Sequence, residues 1–241
     1  ELIGGGVSFP VTDLGLKKLR EGVEIHFLDS TFFPDPDPET TSVDGRVRFG
    51  VSATTFAGVR DGVGTSASDA GSNDTAVSIR STTTTDQWDL MDRGIYLFDT
   101  SALGAGATIS AATCSLVCGG NNGNNFSQTM DLVQSSTASN TALVASDYEG
   151  TVGNTALQSD TQPAFSAITC DGATYTDYLL NVTGRGNISL TGITKFGVKG
   201  SSDRTNTAPT WSSNLTAGKQ IITAETAGTS TDPKLAVTYT A

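Results

Sequence analysis

The chain has 241 residues, which is enough for one large β-domain, because sandwiches and barrels often run to about 200–250 residues. Charged residues make up only 16% of it, and 14 Lys and Arg against 25 Asp and Glu give a formal net charge of −11. Such an acidic surface repels phosphate backbones, so we expect no nucleic-acid binding. No apolar run approaches the roughly 20 residues that span a bilayer, so we expect no membrane insertion either.

The first 45 residues differ from the rest and predict an arm followed by a stiff linker. The amphipathic stretch Leu14–Glu21 predicts a helical turn, and the apolar run Val23–Leu28 predicts a strand. Three prolines at alternate positions in Phe32–Pro38 forbid helix and hold that segment extended. Because the chain begins at Glu1 rather than methionine, we interpret it as a processed or excised product.

The arm either docks on a neighbouring subunit or packs on its own domain. In the first case we expect assembly contacts through apolar anchors at Val23, Ile25, Phe27, Phe32 and Phe33. We therefore divide the chain into an arm and linker at residues 1–45 and a β-sandwich domain at residues 46–241.

From residue 46 onward, period-2 patterns alternate with turn-rich clusters, while helix-forming residues are scarce. The predicted strands are Arg46–Val51, Ala76–Ser81, Arg93–Asp99, Thr108–Val117, Gln128–Val133, Tyr178–Val182, Lys195–Lys199, Ile221–Glu225 and Leu235–Thr240. Apolar side chains on both faces of Arg93–Asp99 predict a central strand. Residues 119–125 and 226–233 are predicted loops. Many short strands at moderate spacing predict an all-β fold, an antiparallel β-sandwich of jelly-roll type.

The three cysteines leave alternatives open. Cys114 and Cys118 lie four positions apart on a predicted strand, about 13 Å, which is too far for a disulfide. Only Cys170 could bridge either of them. We favour small buried thiols over one bridge to Cys170, and a metal site is disfavoured because no histidine accompanies them.

One region of the sequence resembles a known family. Leu97–Leu103 (LFDTSAL) and Gly106–Leu116 (GATISAATCSL) are similar to the signature of DNRLRE-type β-sandwich domains, which are related to alginate-binding and similar carbohydrate-binding modules. Ser139–Tyr148, Asn187–Val198 and Asp232–Tyr239 resemble segments of uncharacterised structural proteins of tailed phages. The resemblance covers roughly residues 75–241. It implies a β-sandwich fold and is less informative about function, because function depends on sites rather than on folds.

Few residues in the chain suit catalysis. His26 is the only histidine and lies in an apolar run, so we expect no Ser-His-Asp arrangement. Two carboxylates would suffice for glycosidase or lyase chemistry, and the best cluster is Asp86–Asp92. A solvated loop with Arg93 as counter-charge is the alternative interpretation. The candidate glycan-binding residues are Trp88, Trp211, Asp86 and Asp89, although Trp211 could instead cap the sandwich.

Calcium is the one candidate cofactor, because oxygen ligands from Asp, Asn and backbone carbonyls in long loops suit it. The resemblance adds to this expectation. Candidate loops are Asp69–Asp74, the segment with Asp35, Asp37 and Glu39, and Asp86–Asp92, from which we select Asp69, Asp74 and Asp92 as candidate ligands. None matches an EF-hand.

These observations predict a non-enzymatic protein. The leading hypothesis is a virion structural protein of a tailed phage, a head decoration, spike or fibre component. Its expected partners are further copies of itself, other virion proteins such as the major capsid protein, and surface polysaccharide. The alternative is a carbohydrate-binding module of a secreted polysaccharide-degrading enzyme or a surface adhesin. A lyase or hydrolase is disfavoured by the single histidine and the 7% aromatic content.

Overall fold

A computed structural model describes residues 26–150 and 153–241. Within these ranges eleven strands pair antiparallel: β1 Leu28–Phe32, β2 Asp44–Thr54, β3 Ser66–Ser68, β4 Asn73–Ser81, β5 Trp88–Asp99, β6 Thr108–Asn124, β7 Met130–Gln134, β8 Tyr175–Leu179, β9 Ile193–Gly200, β10 Thr216–Ile222 and β11 Lys234–Thr240. The connections contain the short helices α1 Phe56–Asp61, α2 Asp147–Gly150, α3 Val182–Gly186 and α4 Ser201–Thr205, with 3-10 turns at Ser101–Leu103 and Phe165–Ala167. The predicted all-β antiparallel sandwich is confirmed. None of the described helices combines the length and apolar character that crossing a bilayer requires.

The strands form two sheets that share β6. The first sheet has the order β1-β11-β6-β8 and uses the first part of β6. In the second sheet, β3, β2 and β5 are consecutive neighbours. Beyond β5, β4 pairs with its first half and β9 with its second half; β10 then follows β4, and β7 follows β9. The last part of β6 pairs with β10, so this strand joins the two sheets.

Strand β5 lies in the middle of the core, as predicted for Arg93–Asp99. Ile95 and Leu97 point to one face of the strand and Tyr96 and Phe98 to the other, and all four are at most 1% exposed. Pairing with β2, β4 and β9 leaves this strand with neighbours on both sides. This 12-residue strand is therefore the central strand of the second sheet, and β2, β4 and β9 all pair with it.

The N-terminal segment joins the sandwich through β1. Leu28 pairs with Tyr239, and Phe32 pairs with Leu235, so the described part of the predicted arm packs on its own domain. Strand β2 already begins at Asp44, so the predicted boundary at residue 45 falls inside a strand.

The predicted assembly residues have different environments. Phe27 is 61% exposed, Phe32 packs against the core, and Phe33 is half-buried. Val23 and Ile25, like the predicted helical turn at Leu14–Glu21, lie outside the described residues.

Several element boundaries differ from the prediction. Strand β6 continues to Asn124 through most of the predicted loop 119–125, because β10 pairs with it there. Strand β10 begins at Thr216, five residues before the predicted start, and β8 ends at Leu179. The three-residue strand β3 was not predicted.

A disulfide joins Cys118 on β6 to Cys170, and Cys114 is a buried free thiol. The favoured prediction of three buried thiols is therefore wrong, and the alternative bridge to Cys170 is the one observed. Burial raises the pKa of Cys114 to about 12, so this thiol is neutral at physiological pH.

Candidate functional site

Trp88 does not form the predicted sugar platform. Its side chain is 1% exposed and packs against Phe56 and Phe126, with ring centroids 6.1 and 5.3 Å away. The pairing of β4 with β5 shifts between Arg80 and Ser81, which leaves Asp89 as the extra residue of a bulge. A bulge interrupts the alternation of a strand, and here the indole lies in the core. A buried indole cannot stack on a sugar ring.

The other predicted glycan residues lie near one end of β4. Asp86 is exposed in the β4–β5 turn, and Asp89 accepts hydrogen bonds of 2.8 and 3.1 Å from Arg80. Trp211 packs partly against the core, and its buried indole N–H has no hydrogen-bond partner among the described residues. The chain after Trp211 reaches this end, because the Ser81 hydroxyl donates to the Ser212 carbonyl at 2.5 Å.

The predicted calcium ligands do not come together as a metal site. Asp69 accepts a 2.8 Å hydrogen bond from the backbone N–H of Leu143, whereas Asp74 and Asp92 bind arginines. Within residues 26–150 and 153–241, no three His, Cys, Asp or Glu side chains are arranged to hold a metal ion. We predicted that calcium would neutralise Asp74 and Asp92. In the structure, the guanidinium groups of arginines do so instead.

These arginines and carboxylates form a polar surface on the second sheet. Ser78 of β4 lies opposite Asp92 of β5, and Arg48 of β2 lies opposite Asp92 on the other side, so the three share one face. We call this surface the arginine–aspartate face, and it consists of Arg46, Arg48, Asp74, Ser78, Arg80, Asp89 and Asp92.

Hydrogen bonds hold the face in a fixed geometry. Arg48 donates to both carboxylate oxygens of Asp92, at 2.6 and 3.1 Å, and the Ser78 hydroxyl donates to the same carboxylate at 2.5 Å. Arg46 donates to Asp74 at 2.7 Å, and its Nη1 lies 3.8 Å from Asp92 Oδ1. Paired charges of this kind orient one another, so the face presents donors and acceptors in set positions.

Asp92 is the most buried member of the face. Burial raises its pKa above the usual range, and the hydrogen bond and positive charge of Arg48 oppose that shift. The hydrogen bond to Asp92 in turn raises the pKa of Arg48. Because Asp74, Asp89 and Asp92 each accept hydrogen bonds from an arginine, the face suits ligand binding better than proton transfer.

A cavity of about 330 Å³ opens on the arginine–aspartate face. It is lined by Arg48, Ser78, Arg80, Leu90, Asp92, Asn122 and Thr216. One of these side chains is apolar, and the others supply guanidinium, hydroxyl, amide and carboxylate groups. Such a lining suits a polar ligand rather than a hydrophobic one.

No protein-family model and no curated protein matches this chain. The resemblance to DNRLRE-type domains and to phage structural proteins therefore stays a prediction from the sequence.

A second cavity, of about 390 Å³, lies beside the end of β6. Its lining residues are Asn124, Phe126, Ser127, Gln128, Thr129, Ala164, Phe165, Ser166 and Ser201, none of them charged. Phe126 and Phe165 belong to the core and are 4% and 2% exposed. Few ring atoms are therefore available to a ligand, so we regard the first cavity as the candidate functional site.

Sequence reasoning missed the arginines of this face. Arg46 and Arg48 are two positions apart, as are Ser78 and Arg80, so each pair lies on one face of its strand. That spacing is the signal that could have found them. Locating the face also requires knowing that β2, β4 and β5 are neighbours, and the spacing of residues within one strand does not reveal this.

Proposed function

We propose that this chain is a non-enzymatic structural protein of a tailed-phage virion, a head decoration, spike or fibre component, whose arginine–aspartate face binds surface polysaccharide. The observation that carries the glycan-binding part is the 330 Å³ cavity, lined by hydrogen-bonding side chains on an exposed sheet face. Polysaccharides present many hydroxyl groups and, in acidic forms, carboxylates. Guanidinium, amide and hydroxyl groups in fixed positions can bind both.

Two arginines keep donors that the face itself does not use. Arg48 and Arg80 bind their carboxylates through Nε and Nη2, and within the described ranges neither Nη1 donates a hydrogen bond. Both residues line the cavity, with side chains 28% and 44% exposed. Their free N–H groups support recognition of a sugar hydroxyl or a uronate carboxylate.

Calorimetric titration with one uronate-containing and one neutral polysaccharide tests the glycan-binding part. At least one should bind without a change in its chain length. Arg80→Ala should weaken binding by about 10-fold to 100-fold, because a hydrogen bond to a charged group contributes about 1.5–3 kcal/mol. Arg185→Ala is the matched control, since Arg185 donates to the Leu180 carbonyl and does not line the cavity. No binding by either polysaccharide, or an equal loss in both variants, would contradict the proposal.

The virion part of the proposal requires partners. We propose further copies of the chain or other virion proteins such as the major capsid protein, contacting Phe27, just before β1, and Leu28, its first residue, which are 61% and 43% exposed. Immunogold electron microscopy of the source particle should show regular labelling of the virion. Labelling confined to secreted or cell-surface material would instead favour the second candidate, a carbohydrate-binding module of a secreted enzyme or adhesin, which the same cavity supports.

A further inference from the structure

The second cavity, beside the end of β6, has a side-chain amide in its wall whose NH2 group the protein does not use. Gln128 Oε1 accepts hydrogen bonds from the Ser202 backbone N–H at 3.0 Å and from the Ser202 hydroxyl at 2.9 Å. A backbone N–H can only donate, so the amide oxygen must face Ser202. Within residues 26–150 and 153–241 the NH2 group of Gln128 donates no hydrogen bond. Gln128 therefore offers unused donors to a ligand in the cavity.

Asn124 has the same arrangement. Its Oδ1 accepts a 2.9 Å hydrogen bond from Lys219 Nζ, and an ammonium group can only donate, so the orientation of this amide is fixed as well. Its NH2 group has no acceptor in the described part of the chain. Asn124 and Gln128 both line the cavity. The two amides thus direct their oxygens to the protein and leave their N–H donors for a ligand.

A buried ammonium group without a negative partner lies next to this wall. Lys219 is 1% exposed, and its Nζ donates to Oδ1 of Asn121 and of Asn124, both at 2.9 Å. No carboxylate among the described residues forms a salt bridge with it. Burial lowers the pKa of Lys219. Its Nζ is 5.9 Å from the centre of the Phe165 ring, and because Phe165 and Asn124 both line the cavity, the positive charge is one side chain away from it.

The buried arginines of the described chain are compensated differently. Arg60 and Arg93 are 8% and 0% exposed, and both lie within salt-bridge distance of Asp203. Lys219 has neutral amides as hydrogen-bond partners instead. Removing a charge from water without a countercharge is costly. An anionic ligand in the cavity would therefore meet a positive charge that the described part of the fold leaves unbalanced.

Hydroxyl groups complete the polar part of the wall. Ser127 and Ser166 are exposed, and their side chains make no hydrogen bond within the described ranges. The Thr129 hydroxyl donates to Asp131 at 2.6 Å, and Asp131 in turn is paired with Arg204. The lining thus supplies amide and hydroxyl donors and contains no carboxylate.

We propose that the second cavity binds a small organic carboxylate, whose oxygens accept hydrogen bonds from the NH2 groups of Asn124 and Gln128 close to the Lys219 ammonium. One positive charge balances one carboxylate, whereas a phosphate group carries roughly two negative charges. The hydroxyls of Ser127 and Ser166 are available to polar substituents of the ligand. The proposal goes beyond glycan binding at the arginine–aspartate face and is independent of it, because the two cavities share no lining residue.

Nuclear magnetic resonance titration of the isotope-labelled full chain tests the proposal at the site itself. The probes are glucuronate and N-acetylglycine, which represent a sugar acid and a peptide carboxyl terminus, with glucose and N-acetylglycinamide as their neutral counterparts. The side-chain NH2 signals of Asn124 and Gln128 are assigned as those missing from the spectra of Asn124→Asp and Gln128→Glu. They should shift with at least one acid, and the acid that shifts them identifies the source of the carboxylate.

The neutral counterpart should bind at least about 10-fold more weakly, because hydrogen bonds to a charged group are stronger than those to a neutral one. No shift of either NH2 signal at up to about 50 mM acid would overturn the proposal. Glucuronate bound only at the arginine–aspartate face would give this result. Equal affinity for an acid and its neutral counterpart would overturn the proposal as well.

Variants test the role of the charge. Asn124→Asp should fold with Tm equal to or above that of the parent chain, because the new carboxylate pairs with Lys219. It should bind the acid at least about 10-fold more weakly, measured through the Gln128 NH2 signals, because it neutralises the ammonium and repels the ligand. Lys219→Met removes the charge, keeps the side-chain length and should also weaken binding. Asn140→Asp is the control, since it adds the same charge at an exposed position outside the cavity. Parent-like affinity in both Asn124→Asp and Lys219→Met would overturn the proposal.

Discussion

Neighbouring residues on β5 have different electrostatic partners. Asp92 binds Arg48 on the arginine–aspartate face, whereas Arg93 binds Asp203, which is 110 positions away in sequence. The interpretation of Asp86–Asp92 as a solvated loop with Arg93 as its counter-charge is therefore wrong in its choice of partner for Arg93. Successive side chains of a strand point to opposite faces, so adjacency in sequence separates these two charges in the fold.

The Arg93 guanidinium is enclosed by the protein. It donates to the two Asp203 carboxylate oxygens at 2.7 and 2.9 Å and to the Tyr148 carbonyl at 2.7 Å. Its central carbon lies 3.8 Å from the centre of the Tyr148 ring. Replacing such a group leaves its partner buried with an unpaired charge.

Arg93→Leu should therefore lower the free energy of unfolding by about 3–5 kcal/mol. The comparison variant is Arg80→Leu, whose exposed partnership with Asp89 should contribute less than about 1 kcal/mol. Urea unfolding measures both, and Arg93→Leu combined with Asp203→Leu should recover part of the loss. Equal losses for the two single variants would contradict the assignment of Arg93 as a buried structural ion pair.

At the scale of elements, local patterns predicted strands better than their ends. The apolar run in Arg93–Asp99 and the alternation in Leu235–Thr240 correspond to β5 and β11, because both patterns are carried by the residues of the strand itself. The Gly- and Asn-rich residues 119–125 read as a loop, yet β6 continues to Asn124. Pairing with β10, about a hundred positions later, overrides the weak strand propensity.

The glycines of this part of β6 meet two different requirements. A Cβ on Gly120 would lie 2.0 Å from the Gln220 side chain, which is flexible. Gly123 has φ +115, and a Cβ there would lie 2.3 Å from the backbone oxygen of Thr216. Only the second contact involves backbone that cannot move without breaking the strand pair.

Gly123→Ala should lower the free energy of unfolding by about 2–3 kcal/mol, because it adds both backbone strain and a steric clash. Gly106→Ala is the control, since Gly106 has no positive φ and no heavy atom within 4 Å of the added carbon. Its stability should stay within about 1 kcal/mol of the parent, on the stabilising side. Thermal unfolding measures both variants. Equal Tm values for Gly123→Ala and Gly106→Ala would contradict the described β6–β10 pairing.

At the scale of the whole molecule, the candidate site combines distant segments. The arginine–aspartate face needs β2, β4 and β5 side by side, and strand pairing places Arg48 opposite Asp92 across 44 positions. The all-β fold follows from periodicity and turn composition, so the sequence predicts it. The order of strands, and the bulge at Asp89 that accompanies the buried Trp88, depend on long-range pairing, so single-sequence patterns could not predict the arginine–aspartate face.

The Cys118–Cys170 bridge is another long-range contact. Its ends are 52 positions apart, and the loop between them contains β7 and α2. Closing a loop of this length in the unfolded chain removes conformational entropy that corresponds to about 4 kcal/mol. The bridge holds the segment before β8 against β6, where the backbone N–H of Gly172 also donates to the Cys118 carbonyl at 3.1 Å.

Cys118→Ala combined with Cys170→Ala should lower the free energy of unfolding by about 4 kcal/mol in denaturant titrations, against about 1 kcal/mol or less for Cys114→Ala.

Thiol counting checks the covalent structure of the parent chain. The native protein should show no reactive thiol, because Cys114 is buried and its pKa is raised to about 12. Unfolding without reductant should expose one thiol, and reduction should bring the count to all three cysteines. Three thiols before reduction would show that the chain folds without the bridge, and the stability difference between the variants should then disappear.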